Sequence, residues 1–305
     1  MFGGKKTVLG IDIGSKTTKI AMLKFVGGKA HLEKCAIAET GFADEGFVGN
    51  LRSFLSEQKV KGFSAAASFD DATMVIRKME LPKMPESDFN EALRWSLREH
   101  VESDPSEFAV LYSLLNENDA NSSEGTILKI VAYAVSLKAI QEFKSKIESV
   151  GLSPHMIEPE PVSLAATLDR CEQPYDNFIA GVDIGHTHTL FYVVGNGVFV
   201  FSRPIKGIDL AVYEKEPQEF AQKLGIEVQK SIDTFQVNFE MQNISTLYLS
   251  GGGALIDGLD TYLETNMGIK TKLLNPFKTV LVSEEFADLR AELFAKAIGL
   301  AYTQI

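Results

Sequence analysis

The chain has 305 residues, enough for about two domains of ~150 residues with a buried core in each. Hydrophobic residues make up 45% and charged residues 23%, which excludes a disordered or fibrous chain. With 30 basic against 41 acidic residues, the net charge of −11 opposes broad binding to nucleic-acid backbones or anionic lipid.

The start of the chain alternates short apolar runs with glycine: TVLGIDIGS, TKIAMLKFVGG and HLEKCAIAET read as three strands of an antiparallel meander. A helix follows over residues 47–59, on the apolar stripe Phe47, Val48, Leu51, Phe54 and Leu55, and FSAAASFD is the next strand. Pro82 and Pro85 then punctuate the chain. Residues 86–151 read as helix, strand, a polar loop over 116–125, strand and helix, a small α+β unit inserted into a larger domain. Trp95, on the first of those helices, reads as a core anchor.

After a connecting strand and helix in IEPEPVSLAATLDR, the chain begins again. FIAGVDIGHTHTLFYVVGNGVFVFSRPI repeats a strand bearing Asp-Ile-Gly, a turn of small or hydroxyl residues and a β-branched strand, then adds a Gly-Asn-Gly hairpin. An internal duplication accounts for the echo. Cys35 and Cys171 form no CxxC pair, and the apolar runs are strand-sized, so the reading is a cytoplasmic protein without a membrane span.

The chemistry sits in the glycine turns. Asp12 ends a strand at Gly14, so the turn through Ser15, Lys16 and Thr17 can present backbone N–H groups to phosphate oxygens. Lys19 returns along the next strand as a cation, and Asp12 can orient a water-coordinated Mg2+. Taken alone, that turn reads equally as a plain hairpin capped by Asp12. The second turn, with Asp183, Gly185, His186 and Thr187, repeats the chemistry and favours two hairpins clasping one polyphosphate. In a third cluster, an apolar strand runs through Gly251, Gly252 and Gly253 toward a helix, which suits close backbone approach to a ligand or simply tight packing.

Three such turns in this order resemble the actin-like ATPase superfamily, with its two phosphate loops and adenosine loop. Asp12 and Lys19 are seven apart, as in the first phosphate loop of that superfamily, and MIEPEP (156–161) and AIGLAY (297–302) resemble its two interdomain connections. Within it the chain resembles the PilM family of type IV pilus assembly, itself similar to FtsA. The likeness is carried by RKMELPKMP (77–85), FNEALRW (89–95), EPEPVSL (158–164), EVQKSIDTFQ (227–236), LSGGGAL (249–255) and NPF (275–277).

The resemblance implies a two-domain α/β fold of ribonuclease H-like type. A first-domain core over 1–81, completed by about 152–172 and 296–305, would carry an inserted α+β subdomain over 82–151, and the second domain would span 173–295. It implies ATP with Mg2+ in the cleft, on Asp12, Gly14, Ser15, Lys16, Thr17, Lys19, Asp183, Gly185, His186, Thr187, Gly251, Gly252 and Gly253, with Asp12 and Asp183 holding the metal mostly through water. Glu158, Glu160 and His186 are the positional candidates for orienting an attacking water, Glu158 foremost. The implied role is a cytoplasmic, ATP-binding scaffold with weak or no ATPase activity. It would dock on the N-terminal peptide of a PilN-like inner-membrane protein and meet other pilus platform or motor proteins.

One departure stands out. Family members carry a further subdomain after the second phosphate hairpin, whereas here only 205–225 precede a helix expected from Glu227, so the outer subdomain near 203–226 is strongly shortened. Adenine binding is expected to weaken more than phosphate binding. Glu227 and Lys230 have a Glu-x-x-Lys spacing but align with the helix before the third turn and are not assigned to the nucleoside. A nucleotide-free actin-like module, as in type II secretion assembly platforms, and an ATPase or phosphotransferase on the same fold stay open as alternatives.

Overall fold

The computed structural model describes residues 6–60, 62–101, 104–116, 123–175, 177–208, 210–213 and 216–303. The meander forms as expected, as β1 (Lys6–Ile13), β2 (Thr18–Val26) and β3 (Lys29–Ala38). There follow α1 (Phe47–Glu57), β4 (Ser64–Phe69), β5 (Val75–Pro82), α2 (Glu86–Leu97), β6 (Phe108–Leu114), β7 (Ile127–Ser136), α3 (Leu137–Ser149) and β8 (Ser153–Pro159). The second half holds α4 (Glu160–Glu172), β9 (Phe178–Ile184), β10 (Thr189–Gly195), β11 (Val198–Ile205), α5 (Leu210–Tyr213), α6 (Pro217–Asn238), β12 (Ile244–Ser250), α7 (Leu259–Met267), β13 (Lys270–Leu273) and α8 (Ala295–Tyr302).

Two five-stranded sheets share one topology, β3-β2-β1-β4-β8 and β11-β10-β9-β12-β13, each an antiparallel meander extended by parallel strands. The duplication heard in the sequence is thus a duplication of sheets. Asn196 and Gly197 both take positive φ, 53° and 82°, so the Gly-Asn-Gly turn closes β10 on β11 in the mirror-image conformation that matches strand twist.

The helices α4 and α8 lie between the sheets and cross over. α4 leaves the first sheet but buries Leu164, Ala165 and Leu168 against Tyr192 and Val194 of the second. α8 leaves the second sheet but buries Ala297, Ile298 and Ala301 against Val8, Ala21 and Leu23 of the first. Two glycines permit this approach: a Cβ on Gly10 would stand 1.9 Å from the Ala297 carbonyl, and one on Gly299 2.1 Å from the Ser163 carbonyl. Thr167 Oγ1 donates to the Ala295 carbonyl at 2.7 Å and pins the crossing.

The small sheet runs β5-β7-β6, with α2 packed on one face through Phe89, Leu93 and Leu97. It begins at Val75, ahead of Pro82, because Pro82 is the last residue of an edge strand, where a missing N–H costs nothing. α3 packs with the first sheet, through Phe143 and Ile147. The other face of the small sheet puts Val131 and Tyr133 against Tyr192 and Phe199, so this unit touches the second sheet as well. Trp95 does not anchor a core: it is 57% exposed, with the Arg98 guanidinium 4.6 Å from its ring centre, because Phe89, Leu93 and Leu97 define the buried stripe and Trp95 falls off it. Of the loop read over 116–125, residues 117–122 lie outside the described residues.

α6 starts at Pro217, ten residues ahead of the expected Glu227. Pro217 suits a first helical turn, and the buried row Phe220, Leu224 and Val228 continues straight through Gly225. The shortened segment between β11 and this helix is therefore even briefer than read. Among the described residues no helix is long and apolar enough to cross a membrane.

Candidate functional site

The two Asp-Ile-Gly turns are built alike. In the first hairpin Asp12 pairs with Lys19 across the strands, and Gly14 N–H donates to the Thr17 carbonyl at 3.0 Å. In the second, Asp183 pairs with Leu190, and Gly185 N–H donates to the His188 carbonyl at 2.8 Å. A Cβ on Gly14 or Gly185 would lie 2.9 or 2.7 Å from those carbonyls, so both turns need the small residue. The cation is present once only, since Leu190 holds the position of Lys19.

Both turns face one cavity of about 790 Å3, a size suited to a nucleotide-sized ligand. Its lining brings together Asp12, Gly14, Ser15, Lys16, Thr17, Lys19, Asp183, Gly185, His186, Thr187, Gly251 and Gly252. Two expected residues stay out. Gly253 is a packing glycine, its Cβ position 2.1 Å from Ile184 Cγ2. The turn it belongs to leads into a short 3-10 segment, and the α-helix begins only at Leu259. Glu158 also lies outside the lining; it is half-buried on β8, where burial pushes its carboxyl up to about 7 despite a Thr303 hydrogen bond. Glu160, two residues on at the start of α4, is the carboxylate that reaches the cavity. Glu227 is held by Arg203 and Lys230, at 3.1 and 2.6 Å, and takes no part in the site.

The residue that the sequence reading missed is Lys296. Its ammonium sits 2.7 Å from Glu160 Oε1, 3.2 Å from Asp183 Oδ2 and 3.4 Å from Asp12 Oδ1, with the side chain only 16% exposed. Burial alone would lower its pKa, but Asp12, Asp183 and Glu160 outweigh burial and hold it well above the usual lysine value. Glu160 mirrors it: burial pushes the carboxyl up, and Lys296 together with His188 brings it well below the usual range. Asp183 also accepts from Ser250 Oγ at 2.7 Å, and Lys19 stands 3.8 Å from Asp12 Oδ2. A signal for Lys296 was there: it is the one charge in AKAIGLAY, a helix otherwise buried from end to end, where a charge needs partners.

The donor set decides what the site can hold. Backbone turns, Lys19 and the cavity's volume fit a polyphosphate. A divalent ion on Asp12 and Asp183 does not fit, because the Lys296 ammonium already stands between these carboxylates and would repel a second cation there. A second group spans the cleft: His188 Nε2 lies 3.4 Å from Glu160 Oε2 and 3.7 Å from Asp70 Oδ2. Burial is the largest single influence on His188 and lowers its pKa, but the hydrogen bond and charge of Glu160 together with the charge of Asp70 outweigh it, and the net shift is upward.

The family model described as Type IV pilus assembly protein PilM matches residues 213–304. The solved structure of a PilM-PilN type IV pilus biogenesis complex superposes with a TM-score of 0.80 at 20% identity, covering 97% of this chain and 98% of that one. The fold is that of PilM. A Bacteroides thetaiotaomicron protein of unknown function with an actin-like ATPase fold matches at a TM-score of 0.51 and 10% identity, over 90% of this chain and 95% of that one. The PilM-like chain thus has the two-domain actin-like architecture that its motifs implied, inserted unit included.

Proposed function

We propose that this chain is an actin-like scaffold of type IV pilus assembly, peripheral to the inner membrane, which docks on the N-terminal peptide of a PilN-like membrane protein. It would hold ATP in the cleft and turn it over weakly or not at all. The observation that carries the nucleotide part is the pair of equivalent turns, Gly14–Thr17 and Gly185–His188, opening onto one cavity with Lys19 beside them. In this reading Ser15, Lys16, Thr17, His186 and Thr187 offer backbone donors to phosphate oxygens, and Gly251 and Gly252 allow close approach of the nucleoside. The end-to-end likeness to a PilM solved in complex with PilN supports the partner. The small sheet offers an edge for such a peptide: β6 is an edge strand and carries the exposed Leu111 and Tyr112. An extended peptide adding to that edge would gain main-chain hydrogen bonds and apolar contacts together.

Calorimetric titrations with ATP and with a PilN-type N-terminal peptide test the reading. The scaffold binds both and releases little phosphate. Peptide binding without nucleotide binding would mark a degenerate module, and rapid phosphoryl transfer to a small acceptor would mark an enzyme.

A further inference from the structure

We propose that the Lys296 ammonium is the resident cation of this cleft, built into the chain at the place where Asp12 and Asp183 would otherwise share a divalent metal, so that polyphosphate binding here is independent of metal. The nucleotide clause rests on the function proposed above; the cation clause stands on the protein's own side chains. An ammonium has three donors and no acceptor. Lys296 meets three carboxylates, on Asp12 from β1, Asp183 from β9 and Glu160 from α4, so one side chain on α8 joins the end of each sheet's central strand to the first connecting helix.

The second oxygen of each carboxylate also has a neighbour. Ser250 donates to Asp183, Ser68 Oγ is 3.5 Å from Asp12, Lys19 stands near Asp12, and His188 faces Glu160. A magnesium ion asks for carboxylate oxygens at about 2 Å with waters around them, in a space already holding a cation. The hydration shell such an ion keeps has no place where Lys296 lies.

Two features make a structural accident a poor account. Burying a lysine is costly unless its partners compensate, and α8 is otherwise made of Ala, Ile, Gly, Leu and Tyr. The ammonium also lines the same cavity as the two phosphate-type turns. The fixed ammonium offsets part of the negative charge of Asp12, Asp183 and Glu160, as a metal would, so that less of it faces an anionic ligand, without the need to recruit one.

The test uses the full chain with Mn2+ as probe, followed by electron paramagnetic resonance. Without nucleotide, any Mn2+ that the wild type takes up on Asp70, Glu160 and His188 should be unchanged by Asp183→Asn, whereas Lys296→Ala should bind one Mn2+ more and lose it again with Asp183→Asn; a folded Lys296→Ala that gains no Mn2+ would overturn the proposal. Binding of one Mn2+ by the wild type that Asp183→Asn removes would overturn the proposal, and this arm holds even if Lys296→Ala fails to fold. In parallel, wild-type affinity for ATP in EDTA should match or exceed that in excess Mg2+; a loss of about tenfold or more in EDTA would overturn the metal-independent clause. Absence of ATP binding in both media would refute the nucleotide reading and that clause with it, while the Mn2+ titration still decides the resident cation.

Discussion

Replacing Lys296 by methionine keeps the volume and removes the charge, leaving Asp12, Asp183 and Glu160 converging on an apolar end. Each ion pair, at 2.7 to 3.4 Å, has a gross attraction of about 5 kcal/mol at an effective dielectric of ~20. Desolvation of the ions takes back several kcal/mol each, and removal of one partner from such a cluster costs ~3–5 kcal/mol net. For a chain of this size that corresponds to a fall in melting temperature of about 10 °C. The pH dependence gives the sharper signature. In the wild type the Glu160 pKa is depressed, so its contribution is present above the unfolded carboxyl pKa and is lost as pH falls toward the folded one. The raised Lys296 pKa contributes below the unfolded lysine value and loses that contribution only as pH rises through the folded one. In Lys296→Met the stranded carboxylates prefer to be protonated, so acid favours the variant's folded state. Melting followed by circular dichroism from pH 8 to pH 5 should therefore show the gap between the two proteins narrowing. A deficit below ~1 kcal/mol, or one that does not shrink in acid, would refute the reasoning.

Gly299→Ala should destabilise by ~1–3 kcal/mol or more, read from the urea midpoint, since the new methyl meets the Ser163 carbonyl across the α4–α8 crossing. Glu158→Gln should gain ~1–3 kcal/mol at pH 8 and nothing near pH 4: the folded pKa of about 7 exceeds the unfolded carboxyl value, so stability is lost as pH rises between them. Lys19→Ala should weaken ATP at least about tenfold with little change in melting temperature, measured by calorimetry, because its ammonium lines the cavity beside Asp12. The single tryptophan, Trp95, is exposed, so its emission should be red-shifted and quenched by iodide, and Leu111→Lys should weaken a PilN-type peptide without altering the fold.

The parts of the fold that rest on short-range pattern were legible. The meanders, the Asn-Gly hairpin and the repeated Asp-Ile-Gly turn follow from period-two apolar runs and residues that tolerate positive φ. The limits of α6 were misread because Gly225 looks like a stop in sequence, whereas the row Phe220, Leu224 and Val228 has a buried face to follow. Trp95 was misplaced for the converse reason, since large apolar side chains are usually buried but this one falls outside the stripe of α2. In the site, the residues carried by local motifs lie at the cavity except Gly253, which packs on Ile184, and Glu158, which stays half-buried on β8 while Glu160 reaches the cavity. Glu160 and Lys296 lie 136 residues apart and meet only because α4 and α8 cross between two sheets, so their partnership has no local signature.

In the proposed function both glycine turns grip one polyphosphate. A crystal structure of the full chain grown with ATP, in the absence of divalent metal, tests it most directly. Phosphate density is expected between Gly14–Thr17 and Gly185–His188, with Lys19 alongside and Lys296 still on its three carboxylates. Nucleotide bound elsewhere, or a cleft left empty at saturating ATP, would contradict it.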